Sequence, residues 1–555
     1  MTCGILFGME ATATTPEVIN FETHPDRYTH LKIQVEGSIA RILIDIQENQ
    51  GLRPGYALKL NSYDLSVDIE LADAIQRIRF EHPEVGAVLV TSGQEGIFSS
   101  GANIFMLGAS THAHKVNFCK FTNETRMSIE DATANSGQVY IAALNGLASG
   151  GGYELPQACE EIYLVDDRRS TVSLPEIPYL GVLPGTGGLT RLVDKRHVRR
   201  DIADVFVTLA EGVKGKRAVE WGLVDAVFPT SKFKESVEAR ALEVANGGHP
   251  DRKGVQLEAL KPTEEDHGAT YRHVGLEISA DGRTATITMT VPDSVPQMPA
   301  TPSDLGSEWF MLRAFRELDD ALLRLRLNYP LVGLILFKTR GNAASMVAFD
   351  EQMHANAGDW FINEVTLFIK RTLKRVDYMA KSMFAIVDEG SCFVGTLYEL
   401  VLAADRSFML EEDGVTFQMT AMNEGSYPMG NGLTRMQTRF VWDQEGANKL
   451  AAIRETIDAD EATELGLITV AADDIDWDDE VRLAIEERIS LSPDSLTGME
   501  ASIRFGGPET LETKIFGRLT AWQNWIFQRP NAVGPKGALS LYGRPESPEF
   551  DFNRT

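Results

Sequence analysis

The feature of this sequence that most constrains its fold is an internal repeat. LEISADGRTATITM (276–289) matches LKIQVEGSIARILI (31–44), and YPLVGLILFKT (329–339) matches HPEVGAVLVTS (82–92). The matched segments lie 245 and 247 residues apart, and later correspondences keep nearly the same spacing. A constant separation over so long a stretch indicates that one fold occurs twice in the chain.

The first repeat reads as strands alternating with helices. Residues 31–46 alternate in the manner of a hairpin, and 65–80 have the apolar spacing of a helix. Short apolar runs at 85–90, 139–144 and 161–165 are typical of strands buried between helices. Strands and helices in this order predict parallel βαβ units, and therefore an α/β fold.

The domain boundaries follow from the repeat and from local composition. A chain of 555 residues is too long for one hydrophobic core. Residues 246–272 lose the apolar periodicity and gain glycine, proline and charge, which predicts a linker. The predicted organisation is an N-terminal extension (1–30), a first repeat (31–245), the linker (246–272), a second repeat (273–495), and a C-terminal helix and tail (496–555).

Charge and cysteine content restrict the partners and the setting. The net charge of −27 argues against binding to nucleic acid or to an anionic membrane. No apolar run approaches the roughly 20 residues of a membrane span. The four cysteines are scattered, which predicts a reducing, cytoplasmic setting without disulfides, and no motif predicts a metal site.

Two glycine-rich turns of the first repeat carry the chemistry. In VYIAALNGLASGGGYEL (139–155), three glycines precede a helix that carries Glu154. A second turn, IFSSGANIFML (97–107), also precedes a helix, and Glu176 follows in a third loop. We expect the backbone N–H groups of Ser100 and Gly151 to hold an oxyanion, and Glu154 and Glu176 to move protons or activate water.

The second repeat has lost most of these groups. Gly395-Thr396-Leu397 stands where the first repeat has Gly150-Gly151-Gly152, and Thr420 replaces Glu176. A β-branched residue and a leucine should crowd an open amide. We therefore predict that the second repeat is a scaffold in which the retained Glu399 is structural or solvated.

The two turns resemble those of the crotonase (enoyl-CoA hydratase/isomerase) superfamily. VYIAALNGLASGGGYELPQACEEIYLV, LPEIPYLGVLPGTGGLTRL and FSSGANIFML are similar to its signature segments. The resemblance implies tandem crotonase-like (ββα) repeats, the second degenerate, followed by a C-terminal helical segment. It also implies an acyl-CoA substrate, with the oxyanion amides at Ser100 and Gly151 and the catalytic glutamates at Glu154 and Glu176.

The length, the degenerate second half and a tryptophan-bearing terminal helix resemble one branch of this superfamily. That branch opens the ring of 2,3-epoxybenzoyl-CoA, or of its dihydrodiol, to 3,4-didehydroadipyl-CoA semialdehyde and formate. The resemblance implies a thiol at Cys119 for removal of the formyl group, and contacts from Lys59 or Arg53 to the CoA phosphates. It implies no metal, flavin or nicotinamide cofactor.

Two other functions stay open at this stage. One is an enoyl-CoA hydratase or isomerase with a scaffold domain, and the other is a non-catalytic acyl-CoA-binding protein. A fused hydratase–dehydrogenase is disfavoured because the second half has no GxGxxG turn after a strand.

The C-terminal helix is the predicted oligomer contact. Within ETLETKIFGRLTAWQNWIFQRP (509–530), apolar residues recur on one helical face and include Trp522. Aromatic anchors of this kind dock onto the same chain or onto a second subunit. We expect a homodimer through this helix.

Overall fold

A computed structural model describes residues 18–554 of the chain. The first 17 residues, which include most of the predicted N-terminal extension and Cys3, lie outside the described residues. From Val18 to His30 the described part of that extension contains one 3₁₀ turn, Pro25–Arg27. The remaining elements fall into two repeats and a C-terminal segment.

The first repeat contains the elements that position the candidate site. Its strands are β1 (Leu31–Glu36), β2 (Ile39–Ile44), β3 (Ser62–Tyr63), β4 (Ala87–Ser92), β5 (Gly96–Ser99), β6 (Gly101–Ala102), β7 (Val139–Leu144), β8 (Gly146–Ser149), β9 (Glu161–Asp166), β10 (Val172–Ser173) and β11 (Ala226–Pro229). Its helices are α1 (Leu65–Glu81), α2 (Ile104–Ala109), α3 (His112–Asn135), α4 (Gly151–Ala158), α5 (Glu176–Leu180), α6 (Gly188–Thr190), α7 (Arg200–Thr208), α8 (Gly215–Glu220) and α9 (Thr230–Ala245), with a 3₁₀ turn at Lys59–Asn61 and a π-helical turn at Arg191–Lys195.

The main sheet of this repeat has the order β1-β2-β4-β7-β9-β11, parallel except for the β1–β2 hairpin. Its buried strands explain the apolar runs in the sequence, since successive side chains point to opposite faces. Ile141 and Ala143 face α9, whereas Tyr140 and Ala142 face the core beneath α1 and α3. A second, three-stranded sheet, β10-β8-β5, lies beyond the carboxyl ends of the main strands.

The second repeat copies this plan. Its strands are β12 (Thr263–Glu265), β13 (Gly268–Thr270), β14 (Val274–Ile278), β15 (Thr284–Val291), β16 (Leu334–Gly341), β17 (Ser382–Val387), β18 (Arg406–Leu410), β19 (Phe417–Gln418), β20 (Thr456–Ile457) and β21 (Val470–Ala472). Its helices are α10 (Phe310–Asn328), α11 (Ala343–Ala355), α12 (Trp360–Asp377), α13 (Glu399–Ala403), α14 (Arg435–Arg439), α15 (Gln444–Ala451), α16 (Ala459–Glu464) and α17 (Trp477–Ser490), with 3₁₀ turns at Pro302–Leu305, Gly395–Tyr398 and Ala421–Glu424.

Strand order confirms the duplication. The run β14-β15-β16-β17-β18-β21 of the second sheet repeats the order of the first. The hairpin turns at Gly37 and Gly282 both have positive φ, 59° and 69°. Helix α17 covers the outer face of the second sheet, as α9 covers the first.

The linker prediction is wrong in part. Residues 263–270 form β12 and β13, which pair antiparallel and extend the edge of the second sheet through β14. Gly268 allows this close pairing, because a β-carbon there would lie 1.8 Å from the carbonyl oxygen of Leu276. Short polar strands at the edge of a sheet have little apolar periodicity, so their sequence resembles that of a linker.

The C-terminal segment consists of α18 (Pro493–Ile503), α19 (Leu511–Thr513), a π-helical stretch (Lys514–Leu519), α20 (Thr520–Ile526), α21 (Pro530–Val533) and α22 (Ala538–Leu541). The predicted helix over 509–530 is therefore helical from 511 to 526, with a π-helical middle. Trp522 and Ile526 pack against Gly498 of α18. Trp525 stacks on His112 at the start of α3, with ring centroids 5.7 Å apart.

Buried ion pairs join the two repeats. Asp131 of α3 binds Lys370 and Arg371 of α12, and Glu124 of α3 binds Arg326 and Arg375. Phe80 of α1 packs edge-on against two phenylalanines of α12. No helix within residues 18–554 is long and apolar enough to cross a membrane.

Candidate active site

The N-terminus of α4 is the centre of the candidate site, and its three glycines are required for three different reasons. Gly150 has φ +55° and precedes the helix. A β-carbon on Gly151 would lie 2.1 Å from the Tyr63 hydroxyl, and one on Gly152 would lie 2.2 Å from the Ser99 carbonyl oxygen. The helix starts at Gly151, two residues earlier than the sequence suggested, so the Gly151 N–H is one of the first-turn donors without a partner inside the helix.

Glu154 is held in place by the glycine-rich loop of residues 184–190, which we call the clamp loop. Its Oε1 accepts hydrogen bonds from the backbone N–H groups of Thr186 (3.0 Å) and Gly188 (2.8 Å). Its Oε2 accepts a hydrogen bond from the Thr186 hydroxyl. Glu154 is only 2% exposed, so these three donors compensate the burial of its carboxylate. The glycines of PGTGG were the sequence signal for this loop.

Glu176 lies at the first residue of α5, directly over Gly150. A β-carbon on Gly150 would come within 2.7 Å of its Oε1. Its Oε2 is buried and has no hydrogen-bond partner among the described residues. Burial, and then the nearby charge of Glu154, raise the pKa of Glu176 to about 7. The two carboxylates predicted from sequence therefore meet at one helix N-terminus in contrasting environments.

The geometry does not support Ser100 as the second oxyanion donor. Its N–H already donates to the Leu60 carbonyl at 3.1 Å. Gly101 and Ala102 pair in parallel with Ser62 and Tyr63, and the Asn103 N–H donates to the Tyr63 carbonyl. Gly101, with φ +87°, interrupts the alternation of N–H directions after Ser100. Since the next N–H, that of Asn103, points to β3, the Ala102 N–H is directed to the opposite side.

Gly101 brings this turn against α4. A β-carbon on Gly101 would lie 2.8 Å from the Gly151 nitrogen and 3.2 Å from that of Gly152. Ala102 follows Gly101, and its backbone N–H points away from β3. The sequence located the correct turn, but only the hydrogen bonds of the folded turn indicate which amide remains available.

Sequence reasoning missed a buried polar group beneath Gly151. The Tyr63 hydroxyl accepts a hydrogen bond from Arg126 (3.0 Å), and Asp68 lies 3.6 Å from the same guanidinium. Among residues 18–554 the Tyr63 proton has no hydrogen-bond acceptor. Burial is the largest cause that raises the pKa of Tyr63, so the phenol stays protonated beside the Gly151 backbone. No motif marks these residues, which come from β3 (Tyr63), α1 (Asp68) and α3 (Arg126).

Cys119 lies on α3 beside the clamp loop. Its sulfur is 3.6 Å from the position of a β-carbon on Gly185. Burial first, and then the charges of Glu154 and Asp68, raise the pKa of this thiol to about 11, whereas Arg126 lowers it. The thiol is therefore protonated near neutral pH, and any reaction as a thiolate needs a base close by.

Lys59 and Arg53 lie on the exposed loop before β3. The carbonyl oxygens of Lys59 and Leu60 face the turn at Ser100, so Lys59 stands at the edge of the site. Arg53 is on the same loop, near His114, whose pKa it helps to lower. Exposed apolar side chains flank the site on α2 and the loop after α5, among them Phe105 (77% exposed) and Leu183 (64%).

The corresponding pocket of the second repeat is filled by the chain itself. The Thr396 N–H, at the position of Gly151, donates to the Asp350 carboxylate at 2.8 Å. The hydroxyls of Thr396 and Thr420 also donate to Asp350, each at 2.6 Å. Glu399 is buried and bound by Arg435 and Asn423. A carboxylate thus occupies the anion position, and Glu399 is structural rather than solvated.

A family profile described as enoyl-CoA hydratase/isomerase matches residues 57–279. The chain is 52% identical to the benzoyl-CoA-dihydrodiol lyase of Aromatoleum evansii, over 98% of this chain and 100% of that protein. This chain therefore belongs to the enoyl-CoA hydratase/isomerase (crotonase) family. It has the crotonase-like α/β fold, followed by a helical C-terminal segment.

Other relatives match a smaller share of this chain. The fatty acid oxidation complex subunit alpha of Shewanella loihica is 31% identical over 35% of this chain and 26% of that protein. Among solved structures, an enoyl-CoA hydratase of Geobacillus kaustophilus is 35% identical, with a TM-score of 0.35, over 40% of this chain and 76% of that one. The match to the Aromatoleum protein covers 98% of this chain and therefore includes the second repeat and the terminal helices.

Proposed function

We propose that this protein is a carbon–carbon lyase that opens the ring of 2,3-epoxybenzoyl-CoA, or of the corresponding dihydrodiol. The reaction that starts from the epoxide consumes two waters, and its products are 3,4-didehydroadipyl-CoA semialdehyde and formate. The observation that carries this proposal is the 52% identity to a benzoyl-CoA-dihydrodiol lyase along almost the whole chain. A plain hydratase would not need the second repeat or the terminal helices.

The proposed oxyanion donors are the backbone N–H groups of Gly151 and Ala102. Gly151 offers a first-turn amide at the positive end of α4, and Gly101 holds the Ala102 turn against it. A thioester oxygen between these amides would be polarised, so that the conjugated ring carbons accept negative charge. Ala102 replaces the predicted Ser100 because the Ser100 N–H is already bonded.

The two glutamates are proposed to divide the proton transfers. Glu154 accepts three hydrogen bonds and is rigidly held, which suits a base that activates water or takes a proton from the diol. Glu176, with a pKa of about 7, exists in both forms at neutral pH and suits delivery of a proton. Contrasting surroundings for two carboxylates in one site are the usual basis of such a division.

Cys119 is proposed to take part in removal of the formyl group. Its sulfur faces the clamp loop, and Glu154 is close enough to raise the pKa of the thiol. Since the thiol is protonated at neutral pH, it must lose its proton to a neighbouring base when it attacks the formyl carbon. The carbon–carbon bond between the formyl group and the rest of the opened ring then breaks, and the carbon that leaves takes a proton. A second water hydrolyses the S-formyl thioester to formate and restores the thiol.

Product analysis by mass spectrometry after incubation with 2,3-epoxybenzoyl-CoA tests the proposal. We expect one equivalent of formate and the semialdehyde from the unmodified enzyme, and loss of about 10³-fold or more in kcat for Glu154→Gln and Glu176→Gln. Glu399→Gln, in the second repeat, is the matched control and should retain ring opening. Turnover of crotonyl-CoA without formate from the epoxide would indicate an ordinary hydratase. Thioester binding without any turnover would indicate a binding protein.

For the CoA moiety we propose contacts from Lys59 and Arg53. Both side chains are exposed at the loop that borders the Ser100 turn, so a phosphate can approach them. Lys59→Ala and Arg53→Ala should raise KM about tenfold or less, with kcat kept, because they bind substrate and transition state alike. An unchanged KM in both variants would place the phosphates elsewhere.

The proposed partner surface is the outer face of the terminal helix, which would form a homodimer. The tryptophans of this helix pack on the chain itself, but Leu511 (76% exposed), Phe516 (69%) and Leu519 (48%) do not. Such exposed apolar side chains on one segment are typical of a subunit contact. Phe516→Asp should convert a sedimenting dimer to monomer, and a trimer would contradict the proposal.

We also propose that the enzyme works in the cytoplasm and needs no metal, flavin or nicotinamide. Cysteines at three described positions, Cys119, Cys159 and Cys392, are free thiols, which suits a reducing compartment. The net charge of −27 disfavours nucleic acid and anionic membranes as partners. Activity should survive gel filtration in the presence of a chelator, and loss of activity restored by a metal or flavin would overturn this proposal.

A further inference from the structure

The Tyr63 hydroxyl lies next to the proposed oxyanion site and has a proton that the protein itself does not use. Its oxygen accepts a hydrogen bond from Arg126 at 3.0 Å, and its proton has no acceptor among residues 18–554. A buried donor without an acceptor is costly to fold, so such a group in a native structure calls for a specific role. None of the roles proposed above uses this hydroxyl.

The hydroxyl is on the side of α4 toward which the Gly151 N–H points. A β-carbon on Gly151 would lie 2.1 Å from the Tyr63 oxygen. In an α-helix the β-carbon tilts toward the N-terminus, and the first N–H groups point out of that same end. Because the β-carbon and the nitrogen of one residue are about 2.5 Å apart, the Tyr63 oxygen lies within about 4.6 Å of the Gly151 nitrogen. Two donors this close can bind one oxygen together, since each reaches about 2.7–2.9 Å.

Tyr63 is also connected to the second proposed oxyanion amide. In the short parallel pairing of β3 with β6, Tyr63 is the partner of Ala102. The Tyr63 side chain therefore begins on the strand beside the Ala102 amide and ends at the Gly151 backbone. One residue thus links the two turns that supply the proposed backbone donors.

Arg126 fixes and polarises this hydroxyl. Arg126 is 1% exposed, and its Nη2 donates to the phenol oxygen, so the Tyr63 proton must point away from the guanidinium. Burial is the largest cause that raises the pKa of Tyr63, while the charge of Arg126 opposes it. The hydroxyl is therefore a neutral donor that a cation behind it strengthens.

The second repeat contains the same combination of donors around an anion of the chain itself. Oδ2 of Asp350 accepts hydrogen bonds from the Thr396 N–H at 2.8 Å and from the Thr420 hydroxyl at 2.6 Å. Thr396 occupies the position of Gly151. An anionic oxygen at this point of the fold is thus bound by a backbone amide and a side-chain hydroxyl together.

We propose that the Tyr63 hydroxyl is a third hydrogen-bond donor to the thioester oxygen, beside the backbone N–H groups of Gly151 and Ala102. Arg126 is the positioning residue that directs this hydroxyl. The hydroxyl keeps its proton throughout, so it stabilises the oxyanion without taking part in the proton transfers. The inference rests on the proposed function only for the place of the thioester, and it applies to any acyl-CoA bound there.

The test uses the full-length variant Tyr63→Phe and, as the bound probe, benzoyl-CoA, which has no epoxide to open. We expect the carbonyl stretching frequency of the bound thioester, measured by Raman difference spectroscopy, to move back toward its value in water. We expect kcat with 2,3-epoxybenzoyl-CoA to fall about 10²-fold, while KM changes less than about threefold. Tyr140→Phe is the matched control, because it also removes a buried hydroxyl without a partner among the described residues, and it should match the unmodified enzyme.

A 3-fluorotyrosine at position 63 covers the case in which phenylalanine is not tolerated. Its more acidic phenol is a stronger donor and should lower the carbonyl frequency further than the unmodified enzyme does. An unchanged carbonyl frequency in either folded variant would overturn the inference, whether or not kcat falls, because the hydroxyl then does not meet the thioester. Absence of formate from the unmodified enzyme, with a carbonyl frequency that still responds to the change at Tyr63, would overturn the proposed function alone.

Discussion

At the scale of single residues, the site depends on the different surroundings of two identical side chains. Glu154 is enclosed by donors from the clamp loop, whereas the buried oxygen of Glu176 has no partner among the described residues. Unpaired burial beside a second carboxylate destabilises the charged form of Glu176. The residue type is the same at both positions, so the contrast arises entirely from the fold.

Glu176→Gln should therefore stabilise the protein at neutral and alkaline pH. The folded pKa of about 7 lies above the ordinary 4.5, so the folded state binds the proton more tightly and loses stability as pH rises between these values. The variant should gain about 1–2 kcal/mol over the unmodified protein at pH 8 and little at pH 4.5, allowing for partial exposure. Urea unfolding at both pH values measures this. Glu512→Gln, on the exposed surface, should show no such difference, and an equal effect at both pH values would contradict the prediction.

At the scale of elements, the N-terminus of α4 shows why a glycine can be required by its neighbour rather than by its own backbone. Gly151 is helical, but a β-carbon there would overlap the Tyr63 hydroxyl at 2.1 Å. Helix propensity alone would favour alanine. The close contact with Tyr63 of β3 nevertheless requires glycine at this position.

Gly151→Ala should lower stability and reduce kcat/KM by about 10²–10³-fold, because the shifted amide no longer meets the oxyanion. Adding Tyr63→Phe removes the overlapping hydroxyl and should recover part of the lost stability. Thermal unfolding and steady-state kinetics of the single and double variants measure both effects. If the double variant is no more stable than Gly151→Ala alone, the overlap is not the cause.

The second repeat offers a complementary prediction at the same scale. Asp350 accepts three hydrogen bonds in the filled pocket, and burial raises its pKa to about 6. Asp350→Ala leaves the Thr396 N–H and two hydroxyls unpaired and should lower the free energy of unfolding by about 2–4 kcal/mol. Denaturant unfolding measures the loss, and kcat/KM of the folded enzyme should be unchanged. A large loss of specific activity at full folding would assign the second repeat a catalytic role.

At the scale of the whole molecule, the repeats are joined by charges that neither could bury alone. Asp131 is bound by Arg79 of its own repeat and by Lys370 and Arg371 of the other, and these cations hold its pKa well below the ordinary range. Removal of one charged side chain from this cluster leaves the remaining charges buried without a full set of partners.

Asp131→Asn should therefore lower the free energy of unfolding by about 3–5 kcal/mol at pH 7. The difference should start to shrink as pH falls below the ordinary aspartate pKa of 3.8, because there the unfolded chain binds a proton that the folded carboxylate does not bind. Equilibrium unfolding between pH 3 and 7 checks this, with the exposed Asp474→Asn as control. A loss independent of pH would rule out the ionic explanation.

The sequence by itself determined the duplication, the α/β class, the glycine turn with Glu154, the position of Glu176 and the loss of the second site. These depend on local spacing and residue type, which are visible in one dimension. Only the tertiary structure decided that the Ser100 amide is bonded while that of Ala102 points outward. It also placed Tyr63 beneath Gly151, Asp350 in the second pocket and the clamp loop around Glu154. These contacts join residues far apart in the chain, and a hydrogen bond or a β-carbon overlap between them leaves no periodic signal in the sequence.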